Sequence, residues 1–243
     1  MLGQVFETNV GVDCVVIKYK STKEVWVKFL DIHGYEVSTQ LTDLKFGKVK
    51  NPYAPSIHGV GYVGVGKHKV SVASRKTKTH QVWSSMMERG YCEKYKYKNL
   101  TYLECSVHPD WHNFQVFAEW YTNHKSYGLG YHLDKDLLVK GNKVYSEDTC
   151  CLLPRDINAA ILSGGSCRKD LPVGVYLIKR NSKYFSSVRK FNKSTHLGVF
   201  STVDEAAEAY KIAKKAHLIE LANIWKETID SKVYEALLKW EVL

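Results

Sequence analysis

Closely spaced pairs of thiols, which a zinc ribbon needs, are missing from this sequence. Its six cysteines, at positions 14, 92, 105, 150, 151 and 167, include no C-x-x-C pair, and the adjacent Cys150 and Cys151 would point to opposite faces of a strand. Reduced thiols in a cytoplasm are the simpler expectation. Long apolar runs are also lacking: none approaches the ~20 residues that span a bilayer. The start, MLGQVFETNVG, has no basic stretch leading into an apolar core, so a soluble, cytoplasmic chain with no membrane partner is expected. Acidic residues are scarce relative to basic ones, 25 Asp and Glu against 35 Lys and Arg, and the net charge of +10 favours a polyanionic partner. Disorder is not expected, because 44% of the 243 residues are apolar and 12% aromatic. A chain of this size suits one large domain or two to three small ones.

Residues 1–66 read as a small β-rich domain. VDCVVIKYK, EVWVKFLDI and YEVSTQL are short runs of β-branched and aromatic residues, separated by STK and HG turn signals. Lys18, Lys20, Lys23, Lys28, Lys45, Lys48 and Lys50 make it basic, which suits either DNA phosphates or an ordinary solvated face. GVGYVGVGKH (59–68) lacks the Gly-Lys-Ser/Thr ending of a phosphate loop and reads as a flexible connector. It runs into a basic linker over 67–79 carrying Arg75, Lys76 and Lys78. Residues 80–122 read as helix, loop, helix, with one apolar face of Trp83, Met86 and Met87 and another of Trp111, Phe114, Phe117, Ala118 and Tyr121. His108, His112 and His124 cluster in sequence, but Pro109 separates the first two, and structural roles are expected for all three.

The centre of the chain is YHLDKDLLVKGNKVYSEDTCCLLPRDIN (131–158). YHLDKDLLV and KVYSED can pair as two short strands across a Gly141-Asn142 turn, and Pro154 can sit in the first turn of a helix that carries Asn158. A carboxylate from the first strand, Asp134, and the amide oxygen of Asn158 can then converge on one hard divalent cation, magnesium or manganese. LDKD followed by GN, YS, a Thr-Cys pair and a terminal Asn resembles the divergent H-N-H (His-Me finger) nuclease module of phage homing endonucleases. That resemblance implies Asp134 and Asn158 as metal ligands, with Asn142 in the connecting loop. It also likens Trp83, Arg89, Tyr91, Trp111, Phe114, Phe117 and Trp120 to the family's helical lead-in, so that the nuclease-like domain would run over 80–165. The chain departs from the family directly after the first aspartate, where Lys135 stands in place of the general-base histidine. His132, two residues before Asp134 and on the same strand face, is the nearest other base. His132 or Lys135 is therefore the expected catalytic residue, and Arg155 a phosphate contact.

From 171 to 243 the pattern changes again. PVGVYLIKR, KYFSSVRKF and STHLGVF read as three strands joined at Asn181-Ser182 and Asn192-Lys193, followed by an amphipathic helix. Ser201 or Thr202 is placed to cap that helix, and Ser231 to cap a last short one. Gly174-Val175-Tyr176, Tyr184 to Val188, His196 to Phe200, Thr202, Ala206-Ala207 and Ala209-Tyr210 resemble the apetala-type DNA-binding domain. By that resemblance a three-stranded sheet lies in the major groove of double-stranded DNA, with the helix behind it. Lys179, Arg180, Lys183, Tyr184, Ser186 and Arg189 become the candidate contacts. The expected fold class is α+β. The expected function is a site-targeted, divalent-metal-dependent DNA endonuclease of phage homing or nicking type, working in a host cytoplasm if phage-encoded. The alternative is a non-catalytic DNA-binding regulator or inhibitor on a degenerate nuclease scaffold. Packing within a monomer is expected for the C-terminal leucines.

Overall fold

The computed structural model describes residues 1–162 and 171–242 and shows an α+β protein of two compact units, Met1–Thr122 and Asn123–Leu243. Cys167 and the rest of 163–170 lie outside the described residues. In the first unit, β1 (Val5–Phe6), β2 (Cys14–Ser21), β3 (Glu24–Phe29) and β4 (Glu36–Thr39) form an antiparallel sheet in sequence order. Alternation along β2 and β3 turns Cys14, Val16, Val25, Val27 and Phe29 inward, where they meet Leu44 of α1 (Leu41–Lys45) and Val49. The strands expected early in the chain are present as this sheet.

The predicted flexible connector is instead fixed in place. The backbone N–H of Tyr62 donates to His112 O at 2.9 Å, and that of Phe114 donates to Tyr62 O at 2.9 Å. Gly64 has φ +69°, and a Cβ there would come 2.3 Å from Asn113 Oδ1, so its glycine serves close approach to a neighbour. His68 Nε2 lies 2.9 Å from Glu119 Oε2. The glycine pattern that reads as flexibility therefore marks tight packing. The exposed strands β5 (Ser71–Val72) and β6 (Arg75–Lys76) form a hairpin turned at Ala73 and Ser74, both at positive φ.

Thr77 caps α2 (Lys78–Tyr91) by accepting from His80 N. Then come α3 (Glu93–Lys98), β7 (Ser106–Val107) and α4 (Phe114–Asn123). The two apolar faces predicted for 80–122 pack on each other: Trp83 and Phe114 rings lie 5.5 Å apart, and Trp83 Nε1 donates to Trp111 O at 2.8 Å. Burying side chains of this size contributes about 1.5–3 kcal/mol each, which holds the two helices against each other. His112 bonds Tyr91 Oη at 2.7 Å, and His108 and His124 each accept a nearby backbone N–H through Nδ1, so all three serve the fold.

The second unit begins with β8 (His132–Asp134), β9 (Val144–Tyr145), β10 (Cys151–Leu153) and α5 (Arg155–Ile161). It ends with the antiparallel sheet β11 (Val175–Ile178), β12 (Lys183–Lys190) and β13 (Lys193–Phe200), then α6 (Val203–Trp225) and α7 (Ser231–Lys239). Thr202 rather than Ser201 caps α6, in a full capping box with Glu205. Asp230 rather than Ser231 caps α7, accepting from Lys232 N. Gly174, at φ +79°, lies so close to the Tyr210 ring that a Cβ would come within 2.1 Å of it, locking the start of β11 onto α6. Among the described residues no helix is long and apolar enough to cross a membrane.

Candidate functional site

β8 pairs antiparallel with β10, setting Asp134 opposite Cys151 and His132 opposite Leu153, and α5 follows at once. The expected hairpin across Gly141-Asn142 is thus replaced by a longer loop, and only Val144–Tyr145 of KVYSED becomes a strand. The reason lies in the three residues after Asp134. Its Oδ1 accepts the N–H groups of Asp136 (2.9 Å) and Leu137 (2.8 Å), which turns the chain out of β8 at once. The apolar run Cys151-Leu152-Leu153, almost wholly buried, then supplies the partner strand.

Pro154 is the N-cap of α5, one position earlier than expected, and Ile157, Ala160 and Ile161 anchor the helix. That leaves Asn158 half-buried with Nδ2 3.3 Å from Nδ1 of the exposed His132. Strand alternation puts Asp134 on the same face of β8 as His132, which is the face that Asn158 reaches. Asp134 itself is 8% exposed. Burial pushes its carboxyl above the usual carboxylate range, and the two backbone N–H bonds oppose that rise. Around it burial also pushes the Cys150 thiol up to about 12 and raises Cys151. Burial thus opposes the thiolate form of both cysteines.

Lys135 has a structural place. It is 4% exposed, and its Nζ donates to Asp136 Oδ1 at 2.5 Å and to Asn142 O at 2.9 Å, 5.7 Å from the Tyr145 ring centre. Asn142 answers by donating Nδ2 to Lys135 O (2.9 Å) and Val144 O (2.7 Å). Held by these bonds, Lys135 acts as a clasp that closes the loop. Sequence reading missed this clasp; its only trace is the Gly-Asn pair seven residues after Lys135. Arg155 is exposed in the first turn of α5.

Among the described residues no group of three His, Cys, Asp or Glu side chains converges to hold a metal. A hard cation that keeps most of its water needs only one or two protein oxygens, and the Asp134 carboxylate and Asn158 amide have that chemistry. A closed four-ligand zinc site does not fit this donor set.

The second candidate surface is the β11–β13 sheet. Ser186 is fully buried, and Val188 nearly so, which fixes the parity of β12. Tyr184 and Ser186 turn toward α6, whereas Lys183, Phe185, Ser187 and Arg189 turn away from it. Of the expected contacts, Ser186 is sealed in the packed face, whereas Tyr184 is half-buried. Lys179 and Arg180 are exposed beyond β11, in the turn to β12. On the outer face Tyr176 stacks on Phe185 with centroids 4.7 Å apart at 12°, and His196 lies 5.9 Å from Phe185. This aromatic row, beside Lys183 and Arg189, was not read from the sequence, although the alternation that places Val175 inward also places Tyr176 outward. The chain matches no protein-family model, no curated protein and no solved structure.

Proposed function

We propose that the protein is a DNA endonuclease of phage homing or nicking type that uses a divalent metal to hydrolyse phosphodiester bonds, with its outer sheet face on double-stranded DNA. The observation that carries this reading is the pairing of His132 and Asn158 across β8 and α5, two residues along β8 from the buried Asp134. When bound at Asp134 and Asn158, magnesium or manganese supplies Lewis-acid stabilisation of charge on the phosphate. His132 accepts the proton of the attacking water. The base-competent arrangement turns the Asn158 amide so that Oδ1 accepts Nδ1–H of His132, the tautomer whose basic nitrogen is Nε2. Arg155, exposed beside Asn158 in α5, meets a neighbouring phosphate, and Lys179, Arg180, Lys183 and Arg189 hold the duplex.

The test is cleavage of supercoiled plasmid in magnesium or manganese. Wild type should yield nicked or linear DNA. Asp134→Ala should abolish cleavage, and His132→Ala should slow it by about 100-fold or more, both with unchanged DNA affinity. One observation favours a second reading, a DNA-binding regulator that does not cut: the position of the family's usual base is occupied by Lys135, locked in its loop. If no form cuts any substrate while wild type and Asp134→Ala bind DNA equally, that reading replaces the first.

A further inference from the structure

Within the second unit, α5, the edge of β12 beyond the end of β11, and α6 enclose a cleft of about 1610 Å³. Arg155, Arg189 and Lys214 line it, with His217, Ser187 and Asn192, and Asp156 is the only carboxylate residue among the described residues of its wall. Lys214 is the unexpected member. It lies on the buried face of α6 with Tyr210, His217 and Leu218 and is 9% exposed. No hydrogen bond or ion pair to another described residue satisfies its ammonium. Burial alone depresses its affinity for a proton. Beside it His217 is 3% exposed, and its Nδ1 makes no hydrogen bond, lying 3.7 Å from Glu220 Oε2.

A cation held at such a position with no counter-charge among the described residues costs stability, and a leucine or methionine would fill the same volume without that cost. An anion entering the cleft would relieve it, with Arg155 on the wall as a further donor. The amide of Asn192, also on the wall, suits an oxyanion with several acceptor atoms. We infer that this cleft is a phosphate-binding site, with Lys214 as its buried anchor. Two sources share that chemistry: a backbone phosphate of bound DNA, and a free phosphate or phosphate-bearing small molecule. Only the first rests on the DNA-binding reading above.

The experiment uses the full chain. The melting temperature of wild type, Lys214→Met and Lys214→Arg is followed against inorganic phosphate, with chloride at equal ionic strength as the reference, and duplex DNA affinity is measured from low to high salt. Wild type should be stabilised by phosphate beyond chloride. Lys214→Met should fold, shown by circular dichroism, yet lose that response, and Lys214→Arg should keep part of it. If the natural ligand is a DNA phosphate, Lys214→Met also lowers the slope of log affinity against log salt by about 0.9, and inorganic phosphate competes with the duplex. If it is a free phosphate group, DNA binding is unchanged while the thermal response is lost. Equal phosphate responses together with equal salt slopes in wild type and Lys214→Met overturn the assignment. Failure of plasmid cleavage with the phosphate response intact would sink the endonuclease and leave the cleft standing.

Discussion

Burial and hydrogen bonding pull the Asp134 carboxyl in opposite directions, and burial is the larger influence. Its folded-state pKa therefore lies above the 3.8 of the free group, and the folded chain holds that proton more tightly than the unfolded one. Stability from this group is greatest below pH 3.8, declines as pH rises through the folded pKa, and stays diminished at neutral pH. Asp134→Asn keeps an oxygen to accept from Asp136 and Leu137 and removes the charge. It should raise the melting temperature at pH 7 and lose that gain in acid, while abolishing any metal-dependent cleavage. A variant that gains stability as it loses activity marks a residue held for chemistry. Lys135 should behave in the opposite way. Lys135→Met forfeits the bonds to Asp136 and Asn142, at a cost of about 1–3 kcal/mol in urea denaturation, with Asp136, half-exposed, free to rehydrate. At the thiols, Cys150 and Cys151 should resist alkylation at pH 8 in the native chain, since burial keeps both protonated, while the half-buried Cys92 reacts first among the described cysteines. Peptide mapping after a timed pulse of iodoacetamide reads the order directly.

Among the elements, the C-terminal sheet and helix depend on two local devices. The capping box at Thr202 and Glu205 satisfies the first N–H groups of a 23-residue helix, so Thr202→Ala should cost about 1 kcal/mol. Gly174→Ala should cost more, because it combines positive φ with a collision against Tyr210, and denaturant midpoints would rank the two. These elements were legible in the sequence because strand alternation, turn residues and capping residues all lie within a few positions of one another. The β2 and β3 strands were legible for the same reason. The central unit was only partly so. Tyr145 and Ser146 have strand-like neighbours, yet β8 pairs with Cys151–Leu153, because the turn made by Asp134 and the clasp between Lys135 and Asn142 depend on contacts that no local pattern displays. The same limit applies to GVGYVGVGKH, whose Gly64 and Gly66 fit against Asn113 and Gln115 from a distant part of the chain. Lys214 was invisible too: among the lysines of α6 only its place on the buried arc distinguishes it, and that arc is fixed by packing.

For the whole molecule, the excess of ten positive charges predicts attraction to any polyanion, so specificity has to come from where the charges sit. The parity of β12 gives a sharp version of that question. Lys183 and Arg189 stand on the outer face with the Tyr176 and Phe185 stack, whereas Ser186 is sealed beneath α6 with its hydroxyl unbonded. If the outer face meets a duplex, the pair Lys183→Ala and Arg189→Ala should weaken binding and lower the salt slope by about 0.9 for each phosphate no longer neutralised. Ser186→Ala should leave both unchanged, and by removing an unsatisfied buried hydroxyl it should stabilise the fold by about 1 kcal/mol. The measurement is duplex affinity at several salt concentrations, paired with urea denaturation. Should Ser186→Ala impair binding while the outer-face pair does not, DNA would have to reach the side of the sheet that α6 covers, and the outer face would be ruled out as the interface. Should neither change alter binding relative to wild type, the +10 charge would act through another surface, with the basic β-domain of the first unit the next to test.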